Sequence, residues 1–567
     1  MESLFNAIDW VELGVFFSLL FFLAPILGRY MAHVFEGEKT SLQRFIAPIE
    51  RFTYRFAGVD PREEMEWKEY LRNLLVFNLW GFLLLFALLL VQGWLPFNPQ
   101  QFPNVPWALA FNIAVSFVTN TDWQSYAGET TLSYTSQMTG LTVQNFLSAA
   151  TGLATVLVMI RGFCRNKEST VGNFWVDIVR AVLYVLLPLS IIVTWLLISQ
   201  GVIQSLSPYI QATTLENAPQ TIPMGPVASQ EAIELLGTNG GGFFNTKNAH
   251  PFANPTAFSN FISTLCLLLL PASLTYTFGI LVGARRQGLV LYFVMLILWC
   301  GSLVLSYAVE NIHDPVLGVN PLMEGKEVRF GVANSLLFAT ATTATSNGSV
   351  NAMMSSLSPL AGGIALFNML TSEVIFGGLG VGLSGMLMIV LLTVFLAGLM
   401  VGRIPEYLGK KIDRHQIQWA MVAVLIPGFL ILIGAGCVSL FPLTQASLGH
   451  EGPHGLTEIL FAFASTVFNN GSAFASLNAN TDFYNLTLGV IMLLGRLFII
   501  VPSLAIAGNL VRKRIIPASA ASFSTDTPMF AFFLMMMIVL LGALFYLPAL
   551  SLGPIVEHCL MMEGRSF

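Results

Sequence analysis

The sequence predicts an all-α polytopic membrane protein of ten transmembrane helices, in which a unit of helix, pore helix, filter loop and helix is used four times. Three observations carry that prediction. The chain has 567 residues, 55% of them hydrophobic and only 10% charged, too few charges to clothe a soluble protein of this size. Its apolar residues gather into ten stretches of the roughly 20 residues that cross a hydrocarbon core. Four short polar stretches interrupt them: Thr119-Asn120-Thr121, Thr238-Asn239-Gly240, Ser346-Asn347-Gly348 and Asn469-Asn470-Gly471. Asn120, Asn239, Asn347 and Asn470 recur at separations of 119, 108 and 123 residues.

The spans fall at 11–33, 73–95, 143–163, 176–203, 256–283, 287–308, 374–402, 417–440, 483–508 and 527–549. The first follows an acidic leader with Glu2 and Asp9, without a basic region or cleavage site, so it reads as a retained helix. The chain then divides into an extra N-terminal helix (1–35), a cytoplasmic segment (36–72), pore repeats at 73–165, 176–283, 287–403 and 417–514, and an extra C-terminal helix with its tail (527–567). Each polar stretch is preceded by a short, partly apolar run: Trp107 to Val118, Ser229 to Gly237, Gly331 to Ala344 and Gly455 to Val467. At about 1.5 Å per residue these runs are too short to span but long enough to dip in and stop near mid-membrane. The negative end of each helix dipole would then face the pore axis and favour a cation.

Basic residues set the orientation. Of 26 Lys and Arg, 22 lie in connections that share one side or, as Arg496, within the ninth span. Only Lys247, Lys326, Arg329 and Arg565 lie opposite, which places both termini and all four polar loops outside. The net charge of −5 has little bearing on this. Cys164, Cys266, Cys300, Cys437 and Cys559 are odd in number and scattered, so packing is favoured over a disulfide framework.

Four polar loops on one side are what a cation pore needs, because backbone carbonyls replace a hydration shell only where the backbone leaves helical geometry. Gly240, Gly348 and Gly471 permit dihedrals that aim carbonyls inward, while Thr121 breaks the pattern in the first loop. Asn-Gly alone marks an ordinary surface turn; agreement of motif with topology at four places outweighs that reading.

The stretches beginning Val118-Thr119-Asn120-Thr121-Asp122-Trp123, Gly237-Thr238-Asn239-Gly240-Gly241-Gly242, Thr345-Ser346-Asn347-Gly348 and Phe468-Asn469-Asn470-Gly471 resemble the filter loops of the KdpA family, the potassium-binding subunits of bacterial potassium-transporting ATPases. The segment Gly402 to Lys411 resembles that family's cytoplasmic segment, and the likeness covers essentially the whole chain. It implies a non-catalytic pore subunit in the bacterial inner membrane that selects dehydrated potassium, working with a P-type ATPase catalytic subunit and small accessory membrane subunits. The expected ligands lie at Asn120, Thr121, Thr238, Asn239, Gly240, Ser346, Asn347, Gly348, Asn469, Asn470 and Gly471. Asp122 stands where the family leads one to expect Asn; its carboxylate either raises cation affinity at the external mouth or is simply solvated, and the solvated reading is the favoured one.

The chain contains neither Asp-Lys-Thr-Gly-Thr nor GxxxxGK[ST], so it is expected to bind no nucleotide and to be no enzyme by itself. Nothing points to nucleic acid. The stretch Val34 to Arg72 is too short for a nucleotide-binding domain and reads as a hairpin or surface helix, with partner contact as an alternative. A Trk-like channel or symporter working without ATP is a second reading, since four loops alone are shared. A lipid transferase, the third, would need clustered catalytic carboxylates, Ser or His at the membrane face.

Two charges and one weak helix are candidates for the ion route. Glu373 opens the seventh span and Arg496 lies in the ninth, and such residues either line a pathway or orient helices as a buried pair. Gly377, Gly378, Gly380, Gly382 and Gly385 crowd nine residues; each costs about 0.8–1 kcal/mol relative to Ala, so the helix is expected to unwind or kink there. Close packing through small residues is the alternative. His450-Glu451-Gly452-Pro453-His454 matches HExxH only formally, because Gly and Pro break the helix that motif requires. His33, His250, His313, His415 and His558 form no ligand cluster.

Overall fold

The computed structural model describes residues 7–312, 315, 318, 322–371, 374–517 and 523–565; Glu373 and His313 lie outside the described residues. Among the described residues, ten helices are long and apolar enough to span a membrane. They are α1 (Ala7–Glu36), α3 (Trp67–Leu90), α5 (Ser136–Cys164), α6 (Phe174–Ser199), α8 (Ala257–Leu281), α9 (Arg285–Glu310), α12 (Val381–Val401), α13 (Arg414–Ser439), α15 (Asp482–Leu510) and α16 (Pro528–Met562). Between the paired spans stand four short helices, α4 (Trp107–Val118), α7 (Val227–Leu236), α10 (Gly331–Ala344) and α14 (Gly452–Val467). Two further helices are α2 (Gln43–Ala57) and α11 (Pro359–Leu370).

Burial sorts the spans into two rings. The helices that follow a polar loop, α5, α8, α12 and α15, are 83, 72, 72 and 61% buried over their most apolar windows. Those that precede one, α3, α6, α9 and α13, are 22, 39, 44 and 39% buried. The inner ring therefore packs around the short helices and the outer ring faces the surroundings, as a fourfold repeat demands. The extra helix α1 lies along α8, and α16 packs on α9 and α12.

Helix starts follow local chemistry. Thr256 and Ser259 cap α8 reciprocally, as Asp413 and Gln416 cap α13, which satisfies backbone donors that the first turn leaves unpaired. The segment after α1 forms α2, whose Phe45, Ile49, Phe52 and Phe56 are exposed. That spacing is a helical stripe of the kind that lies flat on a membrane surface. At the same end, Arg165 donates to both carboxylate oxygens of Glu64 at 2.6 Å and holds that acid down at about 2. Glu406–Tyr407 and Lys410–Lys411 pair as a hairpin, and the Lys410 ammonium donates to the Leu510 and Lys513 carbonyls at 2.9 and 2.7 Å.

The expected seventh span starts later than its hydropathy suggests. Residues 374–380 are not helical, and α12 begins only at Val381 after Gly380 at φ +86°. Gly377, Gly378 and Gly380 lie in the unwound stretch, whereas Gly382 and Gly385 are inside α12. In the HEGPH stretch, Gly452 and Pro453 form the first turn of α14, so His450 precedes the helix. His450 instead pairs with Glu458, and His454 with Glu557, each at 2.8 Å.

Candidate functional site

The four short helices end in one backbone pattern, and it defines the site. After the last helical residue and its cap (Thr119, Gly237, Thr345, Phe468) comes a residue of positive φ: Asn120 at 62°, Thr238 at 50°, Ser346 at 56° and Asn469 at 58°. The next residue donates its N–H five residues back, Thr121 to Ser116, Asn239 to Glu234, Asn347 to Thr342 and Asn470 to Ser465, at 2.7–3.2 Å. A second positive φ follows, at Asp122 (52°), Gly240 (80°), Gly348 (87°) and Gly471 (92°). Two such reversals turn the chain from the end of the helix back along its own axis.

This register corrects the sequence alignment in the first loop. Matching Asn to Asn pairs Asn120 with Asn239, Asn347 and Asn470. The backbone instead makes Asn120 the counterpart of Thr238, Thr121 the counterpart of Asn239, and Asp122 the counterpart of the three glycines. Asp122 is fully buried, so the solvated reading of its carboxylate is wrong.

The loops close one ring in chain order. Asn120 Nδ2 donates to the Thr238 carbonyl at 2.7 Å, and Asn347 Nδ2 to the Glu234 carbonyl at 3.0 Å. Ser346 Oγ donates to the Asn469 carbonyl at 3.0 Å, and Asn470 Nδ2 to the Thr342 carbonyl at 3.1 Å. Asn469 Nδ2 reaches Thr121 Oγ1 at 2.8 Å and completes the circuit. The asparagine amides are thus clamps between repeats.

The glycines are needed for that closeness. A β-carbon on Gly240 would fall on the Asn347 carbonyl, one on Gly348 on the Asn470 carbonyl, and one on Gly471 on the Thr121 carbonyl. The three oxygens occupy equivalent positions, as the corrected register requires. A side chain at any of these glycines would force neighbouring loops apart.

Beneath the ring, Thr238 Oγ1 accepts the Leu379 N–H at 2.8 Å, so the unwound stretch before α12 is anchored to the second loop. Arg496 is buried on α15 and donates to the Ser148 carbonyl at 3.1 Å. Ser148 Oγ in turn donates to Asn120 Oδ1 at 2.9 Å. Gly152, one turn further along α5, meets both the Leu379 carbonyl and the Arg496 guanidinium where a β-carbon would stand. The sequence-predicted charge and weak helix therefore converge under the first two loops. On the other side of the ring a vestibule of about 820 Å³ is lined by Trp123, Lys247, Lys326, Gly471 and Phe474 among others.

Sequence reasoning missed Asp122 as a ring member and Lys247 altogether. Lys247 is buried at φ +51° and donates to the Gly348 and Gly471 carbonyls at 2.7 and 3.0 Å. Its signal was its rarity: it is one of four basic residues on the loop side.

Four short helices whose loops close one hydrogen-bonded ring inside ten apolar spans define a pore-loop membrane protein. The profile of the family described as KdpA, potassium-transporting ATPase A subunit, matches residues 14–559. The chain is 50% identical over 563 residues to the potassium-transporting ATPase potassium-binding subunit of Rhizobium rhizogenes, covering 98% of this chain and 99% of that one. It is 52% identical over 559 residues to the protein of the same description from Pseudomonas aeruginosa, with coverage of 98 and 99%. Among solved structures, that of the potassium transporter TrkH from Vibrio parahaemolyticus superposes with a TM-score of 0.49 at 15% identity, over 87% of this chain and 97% of that one. The chain belongs to the KdpA family.

Proposed function

We propose that this chain is the potassium-binding and translocating pore subunit of an ATP-driven uptake complex, with a P-type ATPase subunit as the separate motor and small membrane subunits as accessories. It sits in the bacterial inner membrane with both termini and the vestibule external, as the placement of its Lys and Arg suggests. The observation that carries the reading is the ring itself: four loops of one backbone pattern, brought together by paired positive-φ residues and clamped by asparagine amides.

In this mechanism a cation enters from the vestibule and trades water for the carbonyls of Thr121, Asn239, Asn347 and Asn470 and of their neighbours in each loop. Interloop hydrogen bonds fix the spacing of the ring, and so its preference for one ion size. The floor beneath is made by Arg496 and the stretch from Val374 to Gly380, which bar a direct route so that the motor controls release. Proteoliposomes holding this chain alone are expected to show no ATP hydrolysis and no ATP-dependent accumulation of radioactive rubidium. The complex purified from its host is expected to show both, with stimulation by potassium over sodium. Robust ATPase activity from the isolated chain, or a complex stimulated equally by the two ions, overturns the reading.

A further inference from the structure

A lysine ammonium on two filter carbonyls is chemically unusual, and three buried acidic side chains lie in its surroundings. Lys247 lies in the connection between α7 and α8 and crosses the ring to reach the third and fourth loops. Asp122 in the first loop, and Glu231 and Glu234 one turn apart on α7, are all at most 1% exposed. They share its electrostatic surroundings and offset part of the cost of burying an ammonium there. The neighbouring Asn248 donates to Ser349 Oγ at 2.8 Å, which fastens the lysine-bearing segment to the third loop.

The two accepting carbonyls belong to Gly348 and Gly471, the outermost of the reversed residues in their loops. Gly471 lines the vestibule beside Lys247, and the Gly348 carbonyl accepts from the same ammonium. An ammonium is monovalent and binds carbonyl oxygens as a potassium ion does. Its three N–H groups, however, are directed, and its four-carbon stem cannot follow an ion through the ring.

We propose that Lys247 is a tethered competitor of potassium, its ammonium holding the outermost cation position of the filter so that each entering ion must displace it. The inference rests on the filter reading above and deepens it: Lys247 sets how much external potassium the pore needs. It also screens the mouth against ions that bind carbonyls too weakly to displace an ammonium. Where the ammonium holds the position about nine-tenths of the time, its removal raises apparent affinity about tenfold.

The test uses the assembled complex and measures ATPase activity and rubidium uptake against potassium concentration. Lys247→Met and Lys247→Gln are each expected to lower half-saturating potassium about tenfold and to increase stimulation by sodium, with Gln guarding against a folding defect peculiar to Met. Gly348→Ala, in the same assay, is expected to raise half-saturating potassium. If Gly348→Ala raises it while both Lys247 variants match the parent or also raise it, the competitor is overturned and the filter stands. If Gly348→Ala leaves it unchanged, the filter reading falls and the competitor with it.

Discussion

The first loop and the other three reach the same backbone shape by different means. Loops two to four place glycine at the second reversal, where any side chain would strike the next loop. The first loop places Asp122 there at φ +52°, in a region that costs a residue with a β-carbon about 1–2 kcal/mol. Its neighbour accommodates it. A β-carbon on Gly241 would stand 2.7 Å from the Asp122 β-carbon, so the second loop is glycine-rich at the point where the first is not. Asn239 Nδ2 then donates to Asp122 Oδ2 at 3.1 Å and to Asn120 Oδ1 at 2.9 Å. Fourfold geometry is thus kept by a complementary pair rather than by identical residues.

The largest effect is expected beneath that exceptional junction. Arg496 holds the Ser148 carbonyl, and Ser148 Oγ donates to Asn120 and accepts from Asn239, so its charge stands under the first two loops. A cation facing Arg496 meets on the order of 4 kcal/mol of repulsion at an effective dielectric near 20, enough to slow passage about a thousandfold. Arg496→Met is expected to uncouple the complex, so that ATP hydrolysis continues without accumulation, and to give passive rubidium flux in vesicles when the motor is inhibited. A variant as tight as the parent would move the barrier to the stretch from Val374 to Gly380.

A smaller but still severe change is expected on the regular side of the ring. Gly240→Ser adds a β-carbon against the Asn347 carbonyl. Half-saturating potassium should rise about a hundredfold if the displaced carbonyl loses about 3 kcal/mol of ion contact. Discrimination against rubidium and sodium should narrow in the same variant. Competitive uptake measurements decide the matter: unchanged ion preference would remove Gly240 from the filter.

What could be read beforehand divides along a physical line. Ten spans, four short helices and a weak seventh span are written in hydropathy and glycine content, which act locally. The limits of α4 and α10 were legible to the residue because Pro106 and Gly331 mark their starts and polar triplets their ends. The register of the first loop was not legible. It is set by where α4 stops and by which residue takes positive φ, and an Asn-to-Asn match is blind to both. The burial of Asp122 and the reach of Lys247 depend on contacts across more than a hundred residues, which no local pattern encodes.

The mildest prediction tests the complementary pair directly. Gly241→Ala alone puts a methyl against Asp122 and also within 2.8 Å of the Phe117 ring, and overpacking of that kind costs about 1–3 kcal/mol. Asp122→Gly alone removes both the strained side chain and its hydrogen bond to Asn239, two changes of opposite sign, so its own effect on thermal stability should be small. The double variant lacks the β-carbon that Gly241→Ala would strike but keeps the contact with Phe117. It should therefore recover part of the loss, and the thermodynamic cycle should close with a coupling of about 0.5–3 kcal/mol. Thermal unfolding of the four proteins in detergent supplies the cycle. Strict additivity would mean that the glycine at position 241 serves Phe117 alone, and that the first loop holds its aspartate without help from the second.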